Sequence, residues 1–334
     1  MRKTKYFTSF LIWIFAIVGC SPLATEQQLA KKEGLAIYNV HQDLRYALPL
    51  LAVAAHAGDP EAQYYMGEIE RKRVKAITNE AYAWYEKSAL QGEIYAMLRL
   101  ATADSSFCEK SETCAQRQKT PNEWRGTARD LIEKLVDQGD GQALLQLHFL
   151  TGNDYWLIQS ANAGFPEGQN LLGVKYLIGG GVFQTAIGDI LKAQDLFRAA
   201  AQAGYVPAMN NLGSLMGFET DTSELIHWTR IAVNLGDFYA TKKYAGWMTD
   251  PPSWDAGLLN WVKASGLLYL LKEAEGDNTS SSYALELVAR KLSDSEFIVG
   301  RAFAEEWKKS HPPLSKFLPK YDYRYLIQDV ESEI

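Results

Sequence analysis

The chain has 334 residues, 47% of them hydrophobic and 22% charged, which is enough to bury one or two ordinary cores. There are 34 Lys and Arg against 40 Asp and Glu, for a formal net charge of −6. This acidic balance argues against a nucleic-acid partner, because nucleic-acid binders need clustered Lys and Arg to displace counterions from phosphates. It is compatible with a basic protein partner and with a merely soluble protein.

The first twenty residues have the pattern of an export signal. Three basic residues within the first five precede an apolar run, residues 6–18, that is too short to span a bilayer comfortably. The following Gly19-Cys20 resembles the lipobox of bacterial lipoproteins, in which the Cys is lipidated and becomes the new N-terminus. The alternative is an N-terminal transmembrane anchor that contains a Cys by chance.

The lipoprotein resemblance implies that residues 1–19 are a signal peptide and that Cys20 carries acyl chains. Residues 20–44 are then a lipidated N-terminus and linker, and the body lies in the periplasm with a net charge of −9. Ser21 stands where Asp would favour the inner membrane, so the resemblance favours the inner leaflet of the outer membrane. No second apolar stretch of membrane-spanning length follows, so we expect contact with the membrane only through the lipid anchor.

One register, keyed on a glycine, recurs six times between residues 45 and 248. A small residue follows each glycine by four positions, and large apolar or aromatic residues stand eight positions after it and eight before it. The six glycines are Gly58, Gly92, Gly139, Gly164, Gly204 and Gly236. The pattern predicts helical hairpins in which the glycine ends the first helix in a left-handed conformation. Because a single hairpin cannot bury its apolar face, the hairpins are expected to stack.

The segment 55–67, Ala-His-Ala-Gly-Asp-Pro-Glu-Ala-Gln-Tyr-Tyr-Met-Gly, resembles the core motif of Sel-one-like repeats, short relatives of the tetratricopeptide repeat. Residues 84–89 and 161–173 resemble the helices of the same family, and residues 179–182 its glycine-rich loop. The resemblance implies an all-α solenoid of stacked antiparallel hairpins over residues 45–248. The repeat is irregular, because its glycines are separated by 34, 47, 25, 40 and 32 residues. The shortest interval predicts a kink or a change of pitch near residues 151–154.

The longest interval contains Cys108 and Cys114 in a polar stretch. In an oxidising compartment, two cysteines this close predict a disulfide that closes a small surface loop. A metal site would need more Cys or His nearby, and a redox-active pair would usually read Cys-x-x-Cys.

Residues 249–334 are predicted to form a helical cap on the array, since terminal repeats need a polar outer face. The predicted helices are 253–275, 281–292 and 294–309. Pro312-Pro313 ends the last one. Tyr321, Tyr323 and Tyr325 alternate after Phe317, which predicts a short extended segment packed on the last helices.

No catalytic constellation is apparent in the sequence. No two His stand at the helical spacing of a zinc hydrolase, and Gly-x-Ser-x-Gly is missing. The three glycines at residues 179–181 lack the Lys-Ser/Thr pair of a phosphate loop. Glu305 and Glu306 are neighbours in the sequence, and such a pair is typical of a solvated helix face. We therefore predict a protein that is not an enzyme and that uses no metal and no cofactor.

Nine Trp and eighteen Tyr are many for this length. Those at repeat positions, Trp84, Trp156 and Trp228, are predicted to fill hairpin contacts in the core. Other aromatic residues are candidates for contacting a partner on a concave face, because Tyr and Trp favour interface hot spots. These candidates are Tyr46, Tyr64, Tyr82, Tyr95 and Trp124.

Lipid-anchored Sel-one-like proteins of the periplasm include immunity proteins that neutralise toxins delivered by type VI secretion, phospholipases among them. The resemblance therefore implies a protein that binds and occludes a secreted toxic effector, whose contact surface would be basic. The alternatives are a cell-envelope scaffold or adaptor with several partners, and an accessory subunit or chaperone.

Overall fold

The computed structural model describes residues 24–40, 44–74, 77–103, 117–178, 187–216, 222–252 and 255–321. They form sixteen α-helices and two 3-10 turns, which confirms the all-α prediction. The helices are α1 (Thr25–Val40), α2 (Leu48–His56), α3 (Pro60–Val74), α4 (Asn79–Ala89), α5 (Ile94–Ala101), α6 (Pro121–Val136), α7 (Gly141–Thr151), α8 (Asp154–Asn162), α9 (Pro166–Ile178), α10 (Ile187–Gln202), α11 (Val206–Met216), α12 (Ser223–Asn234), α13 (Phe238–Thr249), α14 (Trp261–Glu275), α15 (Ser280–Ala289) and α16 (Asp294–Ser310).

Several predictions from the sequence fall on segments outside the described residues. They are the signal peptide with Cys20, the Cys108–Cys114 pair, the loop 179–182, and Tyr323 with Tyr325. Across the described part of the chain, no helix is both long and apolar enough to cross a membrane.

The six repeat glycines all end a helix as predicted. Their φ angles lie between 79° and 99°, a left-handed conformation that is strained for residues with a β-carbon. In every copy, the backbone N–H after the glycine donates to the carbonyl five residues earlier, at 2.9–3.3 Å. This 6→1 closure is the Schellman motif, and it satisfies carbonyls at the helix end. The predicted hairpins are therefore confirmed: α2–α3, α4–α5, α6–α7, α8–α9, α10–α11 and α12–α13.

In four of the six hairpins, an acidic residue directly after the glycine caps the second helix. Asp59 Oδ1 accepts from the backbone N–H of Ala62 at 2.7 Å, and Asp237 Oδ1 accepts from that of Ala240 at 2.6 Å. Glu93 and Asp140 cap α5 and α7 in the same way. A carboxylate here satisfies an unpaired donor and complements the helix dipole. A glycine and an acidic residue thus end one helix and begin the next.

The small residue four positions after each glycine packs where the two helices approach most closely. Gly168, for example, has no room for a β-carbon, which would stand 2.3 Å from Ser160 Oγ. The residues eight positions before the glycines were expected in the core, but Trp84 and Trp156 are only partly buried, unlike Trp228. Trp84 lies near the surface because its ring packs edge-on against His56, 5.3 Å away, and lies beneath Lys87.

From α1 to α15 the helices pack in chain order, each against the next, whereas α16 packs on α14. The stack is strongly curved. The backbone N–H of Ser315, beyond the last helix, donates to the carbonyl of Gly236, just before α13, at 2.8 Å. The Tyr64 hydroxyl on α3 donates to the carbonyl of Lys320 at 2.6 Å. The five Cα–Cα intervals from Ser315 to Lys320 span about 18 Å at most, while neighbouring helices lie about 8–10 Å apart. Five hairpin steps separate α3 from α13, so a straight stack would be far too long.

The beginning and end of the described array consequently meet. Helix α1 contacts α14, and the backbone N–H of Lys316 donates to the Asn39 carbonyl at 3.0 Å. The second helices of the hairpins contact the chain end that crosses the array, so they line the inside of the curve.

Part of the predicted linker 20–44 is the helix α1, which corrects the sequence-based boundary. Tyr38 is buried with the α2 and α3 side chains, and its hydroxyl accepts from Lys72 Nζ at 2.6 Å. A β-carbon at Gly34 would stand 2.8 Å from Leu51, so α1 and α2 are in close contact. The buried residues of this helix are Gly34 and Tyr38, four positions apart on one face, and a scan for strongly apolar segments does not detect so small a contact.

The 25-residue interval is accommodated by short helices. Helices α7 and α8 have 11 and 9 residues, and only Gly152 and Asn153 connect them. Gly152 adopts a φ of 69°, and Asn153 Oδ1 accepts from the backbone N–H of Tyr155 at 2.9 Å. A left-handed residue followed by a cap therefore makes a turn of two residues.

Helices α14, α15 and α16 cover the end of the array, with α14 packed on α13, α15 and α16. Helix α14 begins at Trp261 instead of the predicted residue 253, because the Asn260 side chain caps it there. The prediction that the segment after Phe317 packs on the last helices is wrong for its described part, which ends at Tyr321. Residues 315–321 instead cross the inner face to reach α3, α5 and α7.

The close contact between repeats predicts opposite effects for the same substitution at two helical glycines. A β-carbon at Gly67 would stand 2.6 Å from the buried ring of Tyr85, whereas at Gly126 it would meet no atom within 4 Å. We expect Gly67→Ala to lower the free energy of unfolding by about 1–3 kcal/mol through overpacking. Gly126→Ala should raise it by about 0.5–1 kcal/mol through helix propensity. Urea unfolding followed by circular dichroism measures both, and equal effects would contradict the packing.

Candidate peptide-binding slot

The end of the described chain, residues 311–321, is here called the tail, and its residues 315–321 lie on the inner face of the array. The tail has no helix, and Phe317 adopts a positive φ of 46°. At Ser315 the tail forms a short parallel bridge, with its N–H bonded to the Gly236 carbonyl and its carbonyl to the Phe238 N–H, both at 2.8 Å. Lys316 follows with its backbone bond to Asn39. The tail is thus held partly through its main chain, in the manner of an added strand.

The end of the tail enters a pocket between three hairpins, here called the tail slot, formed by Tyr64, Glu93, Tyr95, Arg99 and Phe149. The ring of Tyr321 stacks on Phe149 at 4.9 Å and on Tyr95 at 6.1 Å between centroids. The Arg99 guanidinium carbon lies 4.0 Å from the centre of the same ring. Only 5% of Tyr321 is exposed, so stacking, a cation–π contact and burial all act on one residue.

Lys320 contributes a second set of contacts. Its ammonium lies 2.9 Å from Glu93 Oε2 and 3.6 Å from Glu61 Oε1. Its carbonyl accepts from the buried Tyr64 hydroxyl at 2.6 Å. Burial, and then the nearby Glu68 carboxylate, raises the pKa of Tyr64, which keeps that hydroxyl protonated as a donor. The slot therefore recognises a main-chain carbonyl, a cation and an aromatic ring on two consecutive residues.

A buried ion cluster lies beneath the tail slot and positions Arg99. Glu68 Oε1 accepts from Arg99 Nε and from the Tyr85 hydroxyl, both at 2.7 Å, and Glu68 Oε2 lies 2.8 Å from an Arg71 guanidinium nitrogen. Burial acts to raise the pKa of Glu68, but the Arg99 and Arg71 guanidiniums outweigh it and hold that pKa below its usual value. The pairing with Glu68 holds the Arg99 guanidinium against the face of the Tyr321 ring, where its charge makes a cation–π contact.

One further carboxyl group lies near the slot without a hydrogen-bond partner. Glu167 Oε1, on the first turn of α9, is enclosed and bonded to nothing among the described residues, although other atoms of this side chain reach solvent. Burial raises the pKa of Glu167 to about 7. The pKa of Tyr95 is raised first by burial of that side chain and next by the nearby Glu167 carboxylate. The tail slot is thus bordered by three acidic side chains: Glu61, Glu93 and Glu167.

The five aromatic residues predicted to contact a partner have different positions. Tyr46 is 62% exposed. Tyr64 and Tyr95 do line the concave face, but they are buried beneath the tail. The structure corrects their expected accessibility, because the chain end covers them.

Tyr82 and Trp124 are buried in the hairpin core, so they do not offer a surface to a partner. The Trp124 indole N–H donates to the Tyr82 hydroxyl at 3.3 Å, and that hydroxyl donates to the Lys119 carbonyl at 3.0 Å. Their polar atoms thus hold the chain at the entry to α6.

The sequence analysis missed Glu93, Arg99 and Phe149. Arg99 had a detectable signal, because it is the only charged residue of α5, an otherwise apolar helix, and a buried charge requires a partner. Phe149 and Glu93 had none, since an aromatic residue in an apolar helix and an acidic residue at a helix start are ordinary. Among the described residues, no group of three His, Cys, Asp or Glu side chains is arranged to hold a metal.

Comparison with known proteins gives remote similarities. No protein-family model matches the chain. An uncharacterized protein of Neisseria meningitidis serogroup B is 28% identical over 200 residues, which cover 59% of this chain but only 40% of that relative. A protective antigen of uropathogenic Escherichia coli strains, described as displaying an SLR fold, aligns at 15% identity over 86% of this chain and 77% of its own, with a TM-score of 0.35. A Sel1 repeat protein from Oxalobacter formigenes aligns at 18% identity over 78% and 98%, with a TM-score of 0.36.

The ion cluster predicts a large effect of one buried charge. Glu68→Gln leaves Arg71 and Arg99 with no carboxylate between them and should lower the free energy of unfolding by about 3–5 kcal/mol at pH 7. Since the pKa of Glu68 is lowered in the folded state, the difference should shrink as the pH falls below the unfolded value of 4.5. Glu306→Gln, in an exposed pair with Lys309, is the control and should cost under about 0.5 kcal/mol. Denaturant unfolding of both variants tests this, and equal costs would contradict it.

The Glu167 carboxyl group should affect the free energy of unfolding with a pH dependence opposite to that of Glu68. Its pKa of about 7 in the folded state exceeds the ordinary 4.5, so its contribution to stability falls as the pH rises through this interval. Glu167→Gln removes the titration and should raise the free energy of unfolding by about 1–2 kcal/mol at pH 8, with little change at pH 4. Urea unfolding at pH 4, 6 and 8 is the measurement, with Glu306→Gln as the reference. A gain that is independent of pH would exclude this carboxyl group as its source.

Proposed function

We propose that the chain is a periplasmic, lipid-anchored Sel-one-like protein that binds a protein partner, most specifically an immunity protein that occludes a type VI secretion effector such as a phospholipase. The observation that carries protein binding is the occupied inner face. Residues 315–321 lie on it as a peptide without helical structure, held by main-chain bonds at Ser315 and Lys316 and by side-chain contacts of Lys320 and Tyr321. A surface that holds a peptide in this way has the groups that recognition of a protein segment requires.

The lipid anchor and the target class rest on other observations. The Gly19-Cys20 motif after a short apolar run supports export and lipidation. An acidic body and the acidic border of the tail slot, Glu61 and Glu93, support a basic contact surface on the partner. Occlusion requires a large, rigid binding surface, and the curved stack of hairpins supplies one.

The scaffold or adaptor remains the second candidate. It is favoured by exposed apolar side chains, such as Tyr46, Tyr155 and Ile298, that lie on separate elements of the chain. Such dispersed residues suit several weak contacts more than one tight interface.

Affinity capture from solubilised envelopes, with the chain from Ser21 onward as bait, distinguishes the two. Immunity predicts one dominant partner with hydrolase motifs, and the purified chain should then abolish that hydrolase's activity at a one-to-one ratio. A single partner that is bound but fully active would contradict occlusion. Several weakly bound envelope proteins without a hydrolase would support the scaffold.

The lipid anchor has its own test. Cys20→Ser should leave the chain in the soluble fraction of the periplasm or unprocessed in the membrane, while the wild type should incorporate labelled palmitate. Ser21→Asp is the matched variant, because it keeps the lipidated residue and should move the protein toward the inner membrane. Palmitate incorporation into Cys20→Ser would contradict the assignment.

A further inference from the structure

We propose that residues 315–321 are a resident ligand of the tail slot, which a partner replaces with an extended segment that carries a basic residue directly before an aromatic one. This inference rests on the proposed protein-binding function and specifies the segment that is bound. The resident pair, Lys320-Tyr321, defines the chemistry: a carbonyl for Tyr64, a cation for Glu93 and Glu61, and a flat ring between Phe149 and Arg99.

The tail is attached at few points, which makes exchange possible. Of residues 315–321 only Tyr321 is buried. Residues 316–319 border a cavity of about 190 Å³ that is also lined by Tyr205, Asn210, Asn211 and Tyr239, and among them Phe317 packs on the core of α10–α13. The Lys320 ion pairs remain partly exposed, and such pairs add little to stability. The attachment therefore depends mainly on two aromatic side chains, Phe317 and Tyr321, and on main-chain bonds at Ser315 and Lys316 that another peptide can reproduce.

The slot is built independently of the tail. Arg99 is held by Glu68, Tyr85 donates to the same carboxylate, and Tyr95 accepts from Gln142, so these side chains are positioned by the hairpins. Because hydrogen bonds within the array hold these side chains, the tail slot stays formed while its ligand is exchanged. Binding then costs little free energy for ordering the slot. The Glu167 carboxyl group, which has no hydrogen-bond partner among the described residues, adds a further acidic acceptor beside Tyr95 for a basic segment.

The resident tail also determines the affinity that a partner needs in order to replace it. A tethered segment acts at an effective concentration of about millimolar, so an incoming peptide with the same contacts binds only weakly while the tail is seated. A partner that adds contacts elsewhere on the array overcomes this competition, and weak peptides do not. Removal of the tail's anchoring side chain should therefore strengthen the binding of an isolated peptide, because binding-competent molecules become more populated.

The test uses the full chain from Ser21 and a fluorescent peptide with the sequence of residues 312–321. We expect Tyr321→Ala protein to bind this peptide at least tenfold more tightly than wild type. Tyr283→Ala, a substitution of an exposed tyrosine on α15, is the matched control and should bind as wild type does. Circular dichroism verifies that both variants keep their helices, and Lys320→Glu provides a second way to release the tail should Tyr321→Ala fail to fold.

A charge exchange identifies the site of peptide binding. A peptide with Glu in place of Lys320 should lose at least tenfold in affinity for the Tyr321→Ala protein, and Glu93→Lys in that protein should restore it. Absence of peptide binding to a folded, tail-released variant would overturn the proposal and leave the tail as a structural clasp. In that case a captured partner would still support the proposed function, at another surface. Peptide binding without any captured partner would support the slot and count against immunity.

Discussion

The structure depends on a curvature tight enough for a few residues to reach from α13 to α3. Curvature of this kind follows from unequal spacing on the two sides of a helical stack, and each hairpin turns tightly around a left-handed glycine. The second helices consequently face inward and bring residues far apart in the sequence, such as Tyr64, Phe149 and Asp237, along one path. Neither the seating of the tail in its slot nor the contact of α1 with α14 could form on a straight stack.

The inner face combines a rigid polar network with an aromatic pocket. Burying Glu68 is tolerable only because two guanidiniums and a tyrosine hydroxyl surround it, and a fully bonded network of this kind has one geometry. The network fixes the plane of Arg99, and that plane defines where a ring can stack. The buried charges that stabilise the fold thus also determine the shape of the tail slot. This links the fold to the proposed binding of an aromatic residue.

Hairpin positions could be predicted because their causes are local. A glycine with positive φ, a small residue four positions later and a large one eight positions later act within about twenty residues, and the pattern repeats six times. The acidic caps at Asp59 and Asp237 have an equally local cause and were detectable in the same register. The role of α1 was harder to predict, since its helix is stabilised by contact with Leu51 more than by its own apolar content.

The sequence by itself determined the helical hairpins and their pairing, because each depends on neighbours along the chain. It also predicted an export signal and contained no recognisable catalytic motif. Only the tertiary structure decided that Tyr64 and Tyr95 share a slot with Arg99, and that Lys320 and Tyr321 occupy it. The contacts of Lys320 with Tyr64 and Glu93 join residues more than two hundred positions apart. Their formation depends on the accumulated rotation of every hairpin between them, which no local pattern encodes.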